Sequence, residues 1–210
     1  MPVVLLVRHG QASFGADDYD QLSDLGRAQA EVVGTELRRR ALRDPLVVHG
    51  SLRRQRDTAA IALPGTAATT DARWDEYDHL DLLKRYAPEP EGAPPTSSRE
   101  VQGLLDVALR AWVDDGDAGG WPAFSGGATT ALRELVASLP RARDAVVFTS
   151  GGIVAAVCAE LLRTPADTVV ALNRVTVNGG ITTLVAGSSG TSLVSFNDHA
   201  HLPADGVTYR

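Results

Sequence analysis

The stretch Pro2-Val3-Val4-Leu5-Leu6-Val7-Arg8-His9-Gly10 decides the fold. Its continuous, valine-rich apolar run from Pro2 to Val7 suits a strand buried on both faces, the kind found inside parallel sheets. Working outward, Ser23 precedes a segment of helical periodicity from Leu25 to Leu42, with Leu25, Ala28, Val32 and Leu37 near one stripe and arginines 38 to 40 in the closing turns. Pro45 stops that helix, Leu46-Val47-Val48-His49 reads as a second strand, and Leu52 to Ala62 as a second helix ended by Pro64-Gly65. Residues 86 to 98 and 114 to 127, rich in Pro, Gly and Asp, read as loops around a helix near 99 to 113, an arrangement suited to a lid. A helix near 127 to 139 leads into the strand Ala145-Val146-Val147-Phe148-Thr149, the turn Ser150-Gly151-Gly152 and a helix from Ile153 to Leu162. The tail alternates strand-like runs at 174 to 178, 181 to 187 and 191 to 196, and no repeat of fixed period is present.

This alternation implies an α/β protein, a single domain over residues 1 to 210 with a mainly parallel sheet and helices on both faces. Ligands of such sheets sit beyond the carboxyl ends of the strands. Arg8-His9-Gly10 and Ser150-Gly151-Gly152 both fall at such ends, so two separated segments are expected to converge on one crevice.

The bulk numbers agree. A chain of 210 residues buries roughly 70% of its unfolded surface, and 44% apolar with 22% charged residues exclude disordered and fibrous classes. A formal charge of −6 argues against nucleic acid or a membrane surface as partner, since both want a clustered basic excess. Any anion must therefore be caught locally. The one cysteine, Cys158, follows Ile153-Val154-Ala155-Ala156-Val157 and reads as a small buried hydrophobe. With no basic n-region, no cleavage-site pattern and no apolar window of spanning length, a cytoplasmic address is expected.

A histidine beside an arginine at a strand end supplies a nucleophile near its own pKa and a fixed, charged donor fork for phosphate oxygens. The alternative is a strand-end histidine that only bonds a neighbouring carbonyl. Ser51-Leu52-Arg53-Arg54-Gln55-Arg56-Asp57-Thr58-Ala59 adds a second element, because it opens a helix whose free amides and dipole favour an anion. Helical spacing cannot aim all three of its arginines at one point, and one suffices. Asp75, Glu76, Asp78 and Asp81 form an acidic cluster that reads either as a solvated loop or as the source of a proton donor.

Over residues 3 to 202 the chain resembles the histidine phosphatase superfamily, also called phosphoglycerate mutase-like. The resemblance rests on Leu6-Val7-Arg8-His9-Gly10, Leu22-Ser23-Asp24-Leu25-Gly26-Arg27-Ala28-Gln29-Ala30, Leu52-x-Arg54 with Thr58-Ala59, Glu76, and Asn197 with His201-Leu202. It implies that His9 is phosphorylated by the substrate, that Arg8 and Arg54 hold the phosphoryl oxygens, that Glu76 protonates the leaving oxygen with Asp75 as fallback, and that water releases phosphate without metal or cofactor. The expected partner is a small phosphorylated substrate. Arg8-His9-Gly10 is followed by Gln11-Ala12-Ser13-Phe14-Gly15 rather than the mutase-like Glu-Ser-x-Trp-Asn, so phosphatase is preferred to mutase. Gln11, Ser13 and Gly15 either line the pocket or serve the turn that leaves it.

The family pattern breaks at Ser150. The resemblance places a second histidine there, whereas the chain reads Thr149-Ser150-Gly151-Gly152. Serine donates one neutral hydrogen bond and no charge, a loss of about 3 kcal/mol in the transition state, or roughly a hundredfold in rate, by analogy with removing one preorganised donor. The Gly151 and Gly152 amides, at a helix N-terminus, still suit bound phosphate, with the Ser150 hydroxyl as a neutral donor beside them. His79, His199 and His201 are candidates to restore the charge, His79 first because it lies three residues after Glu76. A binding protein that keeps the pocket but not turnover is the main competing reading. A hydrolase with Ser150 as nucleophile lacks the glycine that Phe148 replaces, and a metal site from His79, His199 and His201 fits no compact ligand spacing.

Overall fold

Leu6 and Val7 sit at the centre of the molecule because the strand they belong to is flanked by another on each side. The structure, a computed structural model, describes residues 1–13, 20–88, 98–140 and 142–209. Its strands are β1 (Val3–Arg8), β2 (Leu46–His49), β3 (Ala68–Thr70), β4 (Ala145–Thr149), β5 (Ile181–Gly187) and β6 (Gly190–Asp198). They form one sheet in the order β3-β2-β4-β1-β5-β6. The first four in that order run parallel, and β5 pairs antiparallel with both β1 and β6. The sheet is therefore mainly parallel, as expected.

Seven helices accompany it among the described residues: α1 (Asp24–Arg39), α2 (Arg53–Ala62), α3 (His79–Tyr86), α4 (Ser98–Asp115), α5 (Trp121–Ser138), α6 (Gly151–Leu162) and α7 (Ala166–Val175). Successive strand residues point to opposite faces, and the core divides accordingly. Val4, Leu6, Val48 and Val147 pack against Ala128 and Leu132 of α5 and Val154 and Val157 of α6. Leu5, Val7, Val47 and Phe148 pack against Val33 and Leu37 of α1 and Ala59 and Ala62 of α2. Burial pushes the Cys158 thiol up to about 12, which keeps it an inert core residue.

Local signals explain the boundaries. The Ser23 side chain accepts from the Gly26 amide (3.0 Å) and starts α1. The buried stripe of α1, however, is Gly26, Gln29, Ala30, Val33, Gly34 and Leu37 rather than the one through Ala28 and Val32. Small residues set it: a Cβ at Gly34 would lie 2.4 Å from the Ala62 carbonyl, so α1 and α2 touch backbone to backbone there. Two further expectations are corrected. The segment 114 to 127 is not a loop throughout, because α5 already begins at Trp121, where Pro122 suits the first turn. Edge-on and tilted packing of Trp121 and Phe124 against Trp112 outweighs the poor helix propensity of Gly126 and Gly127. Residues 174 to 178 are not a strand. They finish α7 and enter a turn with Gly179 at φ +74°, held by Asn197, whose Oδ1 accepts from the Val177 amide (2.8 Å) and whose Nδ2 donates to the Val175 carbonyl (2.7 Å).

Of the loop expected at 86 to 98, residues 89 to 97 lie outside the described residues. The helix between the two expected lid loops is α4, and it packs through Leu109 and Trp112 against Leu82 of α3 and Val170 of α7. No helix is long and apolar enough to cross a membrane among the described residues.

Candidate active site

His9 follows the last residue of β1, and its backbone is fixed on three sides. Its amide donates to the Thr149 carbonyl of β4 (2.9 Å), its carbonyl accepts from Asn178 Nδ2 (3.2 Å), and the next amide, of Gly10, donates to Thr58 Oγ1 on α2 (3.0 Å). A Cβ at Gly10 would lie 2.2 Å from the Gly26 carbonyl, so only glycine lets β1 turn here beneath α1.

The ring is equally constrained. His9 Nδ1 donates to the Gly10 carbonyl (2.7 Å), and Nε2 accepts from Arg54 Nε (3.1 Å). A carbonyl can only accept and a guanidinium can only donate, so the proton sits on Nδ1 and the lone pair on Nε2. The carbonyl-bonding and nucleophilic readings of His9 are thus compatible, since each uses a different nitrogen. Burial, then the charges of Arg54 and Arg8, hold its protonation well below the usual 6.5.

Of the three arginines that open α2, one reaches the site. Arg53 and Arg56 lie outward beside Asp57. Arg54 is buried between His9 and Asp20, whose Oδ1 accepts from Arg54 Nη1 (2.6 Å) and whose Oδ2 accepts from the Arg53 amide (2.7 Å). Asp20 thereby caps a helix whose own N-cap residue, Leu52, has no side chain to do so. On the other side of His9, Arg8 Nη1 donates to the carbonyls of Thr176 and Tyr209, and its guanidinium lies against Gly151, where a Cβ would be 3.5 Å from Nε.

Glu76 faces this pair from the loop after the 3-10 turn Ala72–Trp74. Its Oε2 accepts from the Gly152 amide at the start of α6 (3.0 Å) and its Oε1 from the Tyr77 amide (3.3 Å). A Cβ at Gly152 would lie 2.2 Å from Glu76 Oε1, so the glycine makes room for the carboxyl. Burial raises the Glu76 pKa, and the Gly152 hydrogen bond and the arginine charges only partly oppose that. Asp75 instead binds Ser51 through its amide and hydroxyl (2.5 Å each), pinning the turn before α2.

Ser150, the N-cap residue of α6, makes no capping bond. Its Oγ accepts from Gln55 Nε2 (2.8 Å). Its backbone is extended (φ −127°, ψ 169°), unlike the strained elbow of a serine hydrolase. His79 opens α3 behind the Asp78 cap. Burial, together with the Arg54 charge and against the pull of Asp78, lowers its pKa. His199 Nδ1 donates to the Asn197 carbonyl (2.6 Å), and His201 Nε2 donates to the Gly179 carbonyl (3.1 Å). Those two histidines support the turn behind His9 rather than facing Nε2. No three His, Cys, Asp or Glu side chains gather as a metal-ligand set among the described residues. Of Gln11, Ser13 and Gly15, Gly15 lies outside the described residues, and Gln11 accepts from Ser23 Oγ (2.9 Å), which places it in the turn into α1.

Asp20, Gln55, Tyr77 and Asn173 were not singled out by the sequence. Asn173 Nδ2 donates to the Tyr77 hydroxyl (3.1 Å), and Asn173 Oδ1 lies 3.2 Å from where a Gly151 Cβ would be, so both line the Arg8 side of the crevice. Gln55 alone carried a signal, as the neighbour of Arg54 inside the arginine-rich helix start.

Residues 4–199 match the profile of the histidine phosphatase superfamily (branch 1). Among solved structures, the chain is similar to a mycobacterial hydrolase (25% identity, TM-score 0.68, covering 95% of this chain and 99% of that one). It is similar as well to mycobacterial glucosyl-3-phosphoglycerate phosphatase in complex with VO3 (25% identity, TM-score 0.67, 95% and 100% covered). Phosphoserine phosphatase from Entamoeba histolytica shares the fold at 17% identity (TM-score 0.70, 97% and 100% covered). No protein of curated function matches the sequence.

Proposed function

The chain belongs to the histidine phosphatase superfamily (branch 1), and from that premise we propose that it hydrolyses small phosphate monoesters through a phosphohistidine on His9. The observation that carries the reading is the neutral His9 ring, with Nδ1–H committed to Gly10 and the Nε2 lone pair turned to the guanidinium that would hold phosphate.

In the first step the Nε2 lone pair forms a bond to phosphorus as the bond to the ester oxygen breaks. Phosphate entry exchanges the Arg54 Nε bond to His9 for one to a phosphoryl oxygen, which frees the nucleophile as the substrate binds. Arg8, the Gly151 amide at the start of α6 and the Ser150 hydroxyl hold the remaining oxygens. Glu76, whose pKa burial raises, gives its proton to the leaving oxygen. The Gly10 carbonyl stabilises the positive charge that the phosphorylated ring acquires. In the second step water attacks phosphorus, its proton passes to the Glu76 carboxylate, the P–N bond breaks, and His9 returns to its neutral form. These steps need no metal. His79, with its lowered pKa, enters at neutral pH as a rim hydrogen-bonding group rather than as a cation.

Ser150 in place of a second histidine supports a competing reading, a binding protein that captures phosphate without turning it over. Assaying wild type and His9→Ala against varied phosphomonoesters, glucosyl-3-phosphoglycerate and phosphoserine included, separates the two. Turnover by wild type that His9→Ala abolishes supports the phosphatase, and phosphate binding without turnover supports the alternative.

A further inference from the structure

Gln55 is completely buried, yet one of its polar atoms has no hydrogen-bond partner. Both hydrogens of its amide nitrogen are used, one on the Trp74 carbonyl (2.9 Å) and one on Ser150 Oγ (2.8 Å). The amide cannot be reversed, because its oxygen would then face the Trp74 carbonyl, which can only accept. The orphan is therefore Oε1, pressed toward Gly50, where a Cβ would lie 2.0 Å from it. Packing alone calls for methionine or leucine at such a position, since a buried carbonyl without a partner is costly. The amide must be held there for what its nitrogen donates.

The nitrogen acts on two things. Through Trp74, whose carbonyl also accepts from Thr149 Oγ1 (2.7 Å), it ties the segment that carries Glu76 to the end of β4. Through Ser150, it takes one of the two lone pairs of a hydroxyl that makes no capping bond to α6, unlike that of Ser23 at the start of α1. A hydroxyl that accepts from Gln55 cannot donate to it, so its hydrogen points elsewhere. Ser150 lies one step beyond the paired residues Arg8 and Thr149, hence beside His9.

We infer that Gln55 is a positioning residue that turns the Ser150 hydroxyl into a donor for the phosphoryl group on His9, the two together standing where the family pattern places one histidine. The inference rests on the phosphatase reading above. Gln55 adds no charge. It fixes one neutral donor in advance, while Thr149 Oγ1 keeps the Trp74 carbonyl tied to β4 without it.

A double-mutant cycle tests it, with wild type, Gln55→Met, Ser150→Ala and the double variant compared in kcat, in KM and in the Kd for orthovanadate, a mimic of the transferring phosphoryl group. Ser150→Ala is expected to weaken orthovanadate and lower kcat by about tenfold, the scale of one hydrogen bond. Gln55→Met is expected to do nearly the same, with KM changed less than about threefold, and to cost less than about twofold more once Ser150 is alanine. Gln55→Leu serves as a second apolar replacement, and Ser150→Thr, which keeps the hydroxyl, is expected to retain most of the activity. Ser150→Ala that binds orthovanadate as wild type does overturns the proposal whatever the Gln55 variants do. Equal losses from Gln55→Met in both backgrounds overturn it while leaving the phosphatase reading intact. Wild type that neither binds orthovanadate nor turns over substrate overturns that reading, and the proposal with it.

Discussion

Arg54 Nε donates to His9 Nε2 across 3.1 Å, while Nη1 of the same guanidinium pairs with Asp20 at 2.6 Å. The group proposed to bind phosphate is thus already seated on the nucleophile, aimed by a carboxylate behind it. Lysine carries the charge but not the fork that reaches both partners. Arg54→Lys is expected to lower kcat/KM by about 10²-fold and Arg54→Ala by about 10³-fold, on the scale of losing a preorganised donor to the transferring group. Steady-state kinetics on one phosphomonoester, with far-UV circular dichroism to show that α2 persists, checks both.

The pH dependence follows from two opposite shifts. In the proposed mechanism His9 acts as the neutral ring, and it is held well below 6.5 by burial and by the Arg54 and Arg8 charges, so its limb is complete by pH 6.5 and is lost only as pH falls well below that. Glu76, the proposed acid of the first step, is raised above 4.5 by burial, so its limb is lost as pH rises through that raised value. A bell-shaped kcat/KM profile is expected. Arg54→Ala moves the acid limb upward, and Glu76→Gln removes the alkaline limb. Profiles for the three proteins, each with its ionic strength held constant, decide it.

Leaving-group dependence isolates Glu76. A general acid contributes about 10²- to 10⁴-fold when the leaving oxygen needs a proton. Glu76→Gln is expected to lose that much on an alkyl phosphate and less than about tenfold on p-nitrophenyl phosphate, whose leaving group departs unaided. Equal losses on both substrates would assign Glu76 a structural role only.

Stability has its own acid-sensitive point away from the site. Glu36 on α1 accepts from Arg39 (2.7 and 2.8 Å) and Arg40 (2.7 Å), and the Arg39 bond, with Arg40 behind it, brings its pKa from 4.5 to about 2 despite burial. A depressed pKa contributes stability that is full above 4.5 and lost as pH falls toward 2. Because the Arg39 side chain is 73% exposed, solvent screens much of the pair. Glu36→Gln is expected to cost about 1 kcal/mol at pH 7 and less at pH 3, read from urea unfolding at both.

Much of the fold is legible in the sequence. β1, β2 and β4 follow from valine-rich runs that a two-sided sheet requires, and His9, Arg54, Glu76 and Ser150 each come to the crevice the strand ends define. What escaped did so for physical reasons. The strand-like alternation of Val175 and Val177 spans the end of α7 and a turn held by Asn197, distant in sequence. Trp121 and Phe124 start α5 inside a glycine-rich segment because aromatic packing outweighs propensity. The partnership of Gln55 with Ser150 spans 95 residues, and no local pattern records it.

The central claim is a covalent bond between His9 Nε2 and phosphorus. Rapid quenching of wild-type protein with a ³²P-labelled phosphomonoester, followed by peptide mapping under alkaline conditions, tests it most directly. The expected result is acid-labile, alkali-stable label on the peptide containing His9, formed and discharged at rates compatible with turnover and absent in His9→Ala. Turnover that continues in His9→Ala, or label found on Ser150 or on no residue while wild type turns over, would contradict it.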